Sequence, residues 1–157
     1  MIINDWDIAN NHIKQWKKTG DTVVFTNGCF DIIHRGHIEI LSAAKKKGNR
    51  LVVGLNGDQS VTRLKGNDRP LQPFKDRAMI LDAIESVDMV VSFEEDTPAE
   101  IILHFLPDIL VKGGDYNTDT IVGADTVIAN GGTVEIIPLI PEKSTTALLD
   151  RIIKSTK

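Results

Sequence analysis

The chain is short of the residues that would tie it to an oxidising compartment, a membrane or a nucleic acid. Its 157 residues include one cysteine, Cys29, which excludes an intrachain disulfide and a cysteine-based metal site. No apolar run approaches the ~18–20 residues of a membrane span. The N-terminus carries Asp5 and Asp7 where a signal peptide would place basic residues and then an apolar stretch. A basic excess is missing too: 18 Lys and Arg against 22 Asp and Glu leave a net charge of −4, unlike a whole-surface nucleic-acid binder. That balance leaves nucleotide binding open, because a few local cations and backbone N–H groups suffice to hold phosphates. There is no internal repeat, no low-complexity tract, no Walker A pattern and no Gly-x-Gly-x-x-Gly fingerprint. The expectation is a soluble, cytoplasmic protein of one domain over residues 1–157, with an N-terminal helix within 1–20 and an α/β core over 21–157.

What is present is an alternation of strand and helix patterns. Residues 5–19 place Trp6, Ile8, Ile13 and Trp16 in a helical rhythm that stops at Gly20. Short apolar runs predict strands at 22–26, 51–55, 89–93, 109–111 and 133–137. Between them, Ile38, Ile40, Leu41 and Ala44 mark a helix with Lys45, Lys46 and Lys47 at its end and Gly48 as the stop. Met79, Ile80, Ala83 and Ile84 predict another over 75–86, and Thr97-Pro98-Ala99-Glu100 reads as a capping box with proline at the first helical position. A helix around 120–129 and a last one opening at Ser144 complete the pattern, while 58–73 reads as a loop with a short helix. Near-continuous apolar strands alternating with helices predict an α/β fold, a doubly wound parallel sheet of about five strands covered on both faces. Ligands of such sheets sit outside the carboxyl ends of the strands, where the strand order switches.

The strand ends are therefore the informative positions. After the first predicted strand, Thr26-Asn27-Gly28-Cys29-Phe30-Asp31 leads to His34-Arg35-Gly36-His37 at a helix start. Imidazoles that donate to phosphate oxygens, a glycine that admits close approach and the unpaired N–H groups of a helix N-terminus describe a polyphosphate site. Two plainer readings compete: a metal pair, for which no third ligand stands at sensible spacing, and incidental histidines. Asp31 reads as a hydrogen-bond partner of the turn or a neighbour of the transferred phosphate, and Cys29 as packing. After the second strand, Asn56-Gly57-Asp58 runs into Arg63, Lys65, Gly66, Arg69-Pro70, Lys75 and Arg77, which suits a mobile phosphate clamp or a merely solvated loop. Lys112-Gly113-Gly114-Asp115-Tyr116 would let a flat ligand lie on the backbone or would form a plain turn. Ser144-Thr145-Thr146 gathers three hydroxyls at a helix start, an arrangement suited to phosphate.

Together these segments resemble the cytidylyltransferase-like nucleotidyltransferases with a His-x-Gly-His motif, matched by His34-Arg35-Gly36-His37. The resemblance runs from Thr26 onward and is strongest to the adenylyltransferases of ADP-heptose synthesis, in the form without a fused sugar kinase. It rests on residues 27–31, 63–66, 69–70, 91–98, 110–116 and 144–146. It implies a Rossmann-like sheet and transfer of AMP from ATP to D-glycero-D-manno-heptose 1-phosphate, with Mg²⁺ bridging the ATP phosphates and few or no protein ligands to it. It further implies a homodimer and a product destined for lipopolysaccharide core or other surface glycans. Carried over by position, His34, His37, Lys65, Ser144, Thr145 and Thr146 take the catalytic places. Thr26, Asn27, Gly28, Cys29, Phe30, Gly36, His37, Lys112, Gly113, Asp115, Ser144 and Thr145 contact ATP. Asp31, Asn56, Asp58, Arg63, Lys65, Arg69 and Arg77 face the sugar phosphate, with a structural or dimer role open for Arg77. Related glycerol-phosphate cytidylyltransferases have an arginine shortly before the hydroxyl run, whereas Pro141-Glu142-Lys143 stands here. The alternatives are another nucleotidyl transfer, to glycerol 3-phosphate, phosphoethanolamine or FMN, and a non-catalytic nucleotide sensor.

Overall fold

In the computed structural model, which describes residues 1–114, 117, 120–138 and, as helix backbone, 145–155, the strands and helices alternate in the expected order. The strands are β1 (Ile2–Ile3), β2 (Val23–Gly28), β3 (Arg50–Asn56), β4 (Met89–Phe93), β5 (Ile109–Gly113) and β6 (Thr133–Ile137). The helices are α1 (Trp6–Lys18), α2 (Arg35–Lys45), α3 (Asp58–Lys65), α4 (Phe74–Asp82), α5 (Ala99–Phe105), α6 (Ala124–Ala129) and α7 (Thr145–Ser155). All pairings are parallel, in the order β1-β4-β3-β2-β5-β6. The chain winds outward from β2 through β3 to β4, then crosses to the other side of β2 for β5 and β6. The switch point thus lies between the carboxyl ends of β2 and β5.

Alternate residues of each strand feed separate cores. Val23, Phe25, Val52, Met89, Val91, Phe93 and Leu110 join Ala9 and Ile13 of α1 and Ile101, Ile102 and Phe105 of α5 on one face. Val24, Leu51, Val53, Leu55, Val90 and Val111 join Leu41 and Ala44 of α2 and Ala78 and Leu81 of α4 on the other. Burial on both faces is why the strands read as continuous apolar runs rather than as alternating ones.

Four differences from the sequence reading have local causes. The sheet has six strands rather than five, because Ile2–Ile3 pairs with Val90 and Val91, and two residues carry no periodicity to read. Consequently the first 20 residues are not an appendage: β1 extends the sheet, while Ala9 and Ile13 of α1 are 0% and 1% exposed in the core. Helix α5 starts at Ala99 with Pro98 as its cap and no side-chain cap bond, so Thr97 closes no capping box. Helix α4 ends at Asp82, and the segment to Ser86 is turn, with Ile84 N–H donating to Leu81 O at 3.1 Å. Gly48 follows α2 as expected, but for close approach rather than conformation: a Cβ there would stand 2.7 Å from the Thr22 carbonyl oxygen.

Candidate active site

Strand β2 delivers its carboxyl end to a sharp reversal. Phe30 takes a left-handed backbone, φ 45°, and is held there by burying its ring, 7% exposed, in the α2-side core. The chain then enters α2 through His34, whose extended backbone makes it the N-cap. His34 Nδ1 accepts the Gly36 N–H at 3.1 Å, and His37 Nδ1 accepts the His34 N–H at 3.4 Å. The two imidazoles therefore cap the helix reciprocally, as a hydroxyl and a carboxylate do in the usual capping box. Their rings stack with centroids 3.9 Å apart.

This cap fixes the protonation chemistry. An Nδ1 that accepts a hydrogen bond leaves the proton of a neutral imidazole on Nε2. Burial pushes the His37 pKa down, helped by the charges of His34 and Lys65, to about 4, and burial lowers that of His34. At neutral pH the motif thus offers two uncharged Nε2–H donors beside the N-terminus of an 11-residue helix, a combination that favours an anion.

Lys65 ends α3, with Gly66 at φ 100° closing the turn after it. Lys65 is exposed, and its charge pulls down the pKa of both His37 and Cys29. The three arginines of the segment are occupied. Arg63 donates to Asp96 at 2.6 Å and to the Glu94 carbonyl, and Arg69 donates to Asp31 at 2.5 Å. Arg77, 0% exposed, donates to Gln72 O (2.9 Å), Cys29 O (2.7 Å), Asn56 O (2.8 Å) and the Asp58 carboxylate (2.7 Å).

Of the residues the resemblance assigned to the sugar phosphate, Asp31, Asn56 and Arg77 are turned inward, at 2%, 4% and 0% exposure. Asp31 also accepts the Leu71 and Gln72 N–H groups at 2.9 Å each, which pins the 66–73 loop rather than leaving it a mobile clamp. Burial alone would raise the Asp31 carboxyl; the two N–H groups and Arg69 outweigh it and hold the pKa below the ordinary carboxylate range. Asn56 donates to Ser60 Oγ at 3.0 Å, and its side-chain oxygen accepts the Cys29 thiol at 3.9 Å. Burial raises the Cys29 pKa against the pull of Lys65 and Arg77. Asp58 and Arg63 remain at the exposed rim through their ion pairs with Arg77 and Asp96.

On the β5 side of the switch point, Lys112 Nζ donates to Asn27 Oδ1 at 3.1 Å. Thr26 is buried beside it in β2, and Gly113 packs so closely that a Cβ would stand 2.5 Å from Ile40 Cδ1 of α2. Asp115 and Ser144, and the side chains of Thr145 and Thr146, lie outside the described residues. Sequence reading gives Ser60 no place, and the Glu94 carboxylate accepts the Ser60 N–H at 3.2 Å. Only the meeting of β3 and β4 in space reveals that pair.

Comparison with known proteins places this geometry in a class. The chain matches the family model described as Cytidylyltransferase-like over residues 25–149. The chain belongs to the cytidylyltransferase-like family. Among its relatives, the bifunctional protein HldE of Magnetococcus marinus is 50% identical over 150 residues, covering 96% of this chain and 31% of that protein. The bifunctional protein HldE of Gluconobacter oxydans is 53% identical over 137 residues, 87% of this chain and 29% of the relative. The chain thus spans about three tenths of the length of these curated relatives. The crystal structure of the lipopolysaccharide core biosynthesis protein from Thermoplasma volcanium GSS1 superposes with a TM-score of 0.63 at 28% identity, covering 77% of this chain and 98% of that one. Pantoate-beta-alanine ligase from Francisella tularensis shares the fold, with a TM-score of 0.62 at 13% identity over 88% of this chain and 66% of that one. Among the described residues no helix is long and apolar enough to cross a membrane.

Proposed function

We propose that the chain transfers AMP from ATP to D-glycero-D-manno-heptose 1-phosphate, giving ADP-heptose and pyrophosphate. The observation that carries the nucleotidyl-transfer part is the reciprocal imidazole cap at the switch point. The acceptor rests on the resemblance and on the HldE relatives.

In this reading an oxygen of the sugar phosphate, already ionised at neutral pH, attacks the α-phosphorus in line. A new P–O bond forms as the bond from the α-phosphorus to the bridging oxygen breaks, and that electron pair leaves with pyrophosphate. No strong general base is required; the task is positioning and neutralising growing charge. The Nε2–H groups of His34 and His37 donate to oxygens of the α-phosphate, the N-terminus of α2 faces the same charge, and Lys65 reaches the incoming or leaving phosphate. The hydroxyls of Ser144, Thr145 and Thr146 are assigned to the β- and γ-phosphates and Asp115 to the nucleotide, all four by resemblance.

Mg²⁺ is expected to arrive with the triphosphate. By resemblance its ligands are phosphate and water oxygens, with few or no protein ligands. A homodimer and a cytoplasmic location complete the proposal. Pyrophosphate release measured with ATP and CTP against both anomers of the heptose 1-phosphate tests it. Turnover with ATP and one anomer is the expected result; turnover only with CTP, or only with glycerol 3-phosphate, phosphoethanolamine or FMN, overturns the acceptor or the base.

A further inference from the structure

Helix α3 ends in Lys65 but has little of its own to hold it in place. Of its eight residues only Ser60 and Val61 are buried, and Gly57 at the N-cap supplies no side-chain cap. The cap comes from another element. The Glu94 carboxylate, just past the end of β4 and 34 residues beyond Ser60, accepts the Ser60 N–H at 3.2 Å. Ser60 is the third helical position, one of the two that an N-cap side chain serves. The carboxylate lies over the N-cap itself, so that a Cβ at Gly57 would collide with its oxygens. Gly57 is therefore needed for space rather than conformation, since its φ of −65° suits any residue. An acidic group at this end also complements the helix dipole. The same segment grips α3 further along. Ser60 Oγ donates to the Glu95 carbonyl at 3.0 Å, and Arg63 donates to Asp96 at 2.6 Å and to the Glu94 carbonyl. Residues 94–96 thus seat α3 from its first turn to the turn that ends in Lys65.

We infer that Glu94 is a positioning residue for nucleotidyl transfer: by capping α3 from the end of β4, it fixes where Lys65 stands at the carboxyl edge of the sheet. It acts through Lys65 rather than on the substrates. This inference rests on the reading of the site as a nucleotidyl-transfer centre in which Lys65 reaches a phosphate.

The test uses the full chain with Glu94→Ala, Gly57→Ala and Lys65→Ala, singly and with each of the first two combined with the third. Two quantities are measured: kcat/KM with ATP and heptose 1-phosphate, and the titration of the His37 ring by NMR. Glu94→Ala is expected to lower kcat/KM at least ~3-fold, and by no more than Lys65→Ala does, because a small misplacement of a catalytic group is costly. Gly57→Ala, which keeps the carboxylate but occupies its seat, is expected to show the same loss. In the Lys65→Ala background neither substitution is expected to cost more than a further ~2-fold, the sign of two residues acting through one contact. Glu94→Gln keeps an acceptor for the Ser60 N–H and is expected to recover most of the activity. The titration follows Lys65 without turnover. The Lys65 charge lowers the His37 pKa, so Lys65→Ala and Glu94→Ala are both expected to raise it. Deleting the Glu94 charge would by itself do the opposite, so a rise in Glu94→Ala marks Lys65 as displaced. A lower Tm with kcat/KM and His37 both unchanged shows a cap that serves stability alone and overturns the inference. Losses that multiply in the Glu94→Ala, Lys65→Ala double variant overturn it too, as does a His37 pKa in Glu94→Ala at or below that of the parent. A parent without turnover on heptose 1-phosphate sinks the functional reading instead, and the titration then decides whether Glu94 places Lys65. If Glu94→Ala does not fold, Gly57→Ala carries the same criteria.

Discussion

A histidine that caps a helix with Nδ1 has committed its tautomer before any substrate arrives. His37→Ala removes a preorganised Nε2–H donor and one half of the cap. Turnover is expected to fall by roughly 10²–10³, and stability by about 0.5–2 kcal/mol, the range for a lost cap; steady-state kinetics with a thermal melt separates the two effects. The pH dependence follows from the direction of the shift. His37 titrates at about 4 in the folded protein, against an ordinary value of 6.5, so between those values the unfolded chain binds more protons. The stability it contributes is fully present above pH 6.5 and is lost as pH falls toward 4. His37 is expected to titrate near 4 when followed by NMR of its ring; a titration near 6.5 would contradict the neutral cap. Lys65→Ala, by contrast, alters an exposed terminal residue of α3. Its stability is expected within about 0.5 kcal/mol of the parent, with kcat/KM down ~10-fold or more.

At the scale of elements, the segment between α3 and α4 owes its shape to a carboxylate about 40 residues away in sequence. Asp31→Ala strands Arg69 and the N–H groups of Leu71 and Gln72 together. The expected cost is about 3–5 kcal/mol, the scale for breaking a buried ion pair, read from urea unfolding; a change below about 1 kcal/mol would show that the loop holds itself. That dependence also marks where the sequence stops being legible. Strands β2 to β6 were visible because burial on both faces makes them unbroken apolar runs, and α2 was visible because Ile38, Leu41 and Ala44 repeat at helical spacing. The inward turn of Asp31, Asn56 and Arg77 was not visible, since a charged residue in a polar loop reads the same whether it faces a ligand or a backbone carbonyl. Thr97 shows the opposite failure: the cap motif was present, but the helix began at Ala99.

For the molecule as a whole, the histidine turn sits where the winding of the sheet reverses, which the strand pattern and the His34-Arg35-Gly36-His37 motif together made legible. The N-terminal segment, with the expected helix at Trp6–Lys18, is part of the core. Ala9 and Ile13 cover Phe25, Val52 and Phe105 in one core, so a variant lacking residues 1–20 leaves that sheet face bare. It is expected to lose cooperative unfolding, as judged by calorimetry; a sharp transition within a few degrees of the parent would show that 21–157 folds alone.

The division between floor and rim has a consequence for how such a site can change. The floor is knitted by Asp31 and Arg77 into amides and carbonyls of the chain itself and by Asn56 into the Ser60 hydroxyl, and any exchange there is answered by the fold. Lys65 sits at the exposed lip, where a new side chain meets solvent rather than the fold, and Arg63 beside it is held only by its surface links to Asp96 and the Glu94 carbonyl. Novelty in what the enzyme accepts can therefore accumulate along that lip while the frame beneath stays the same.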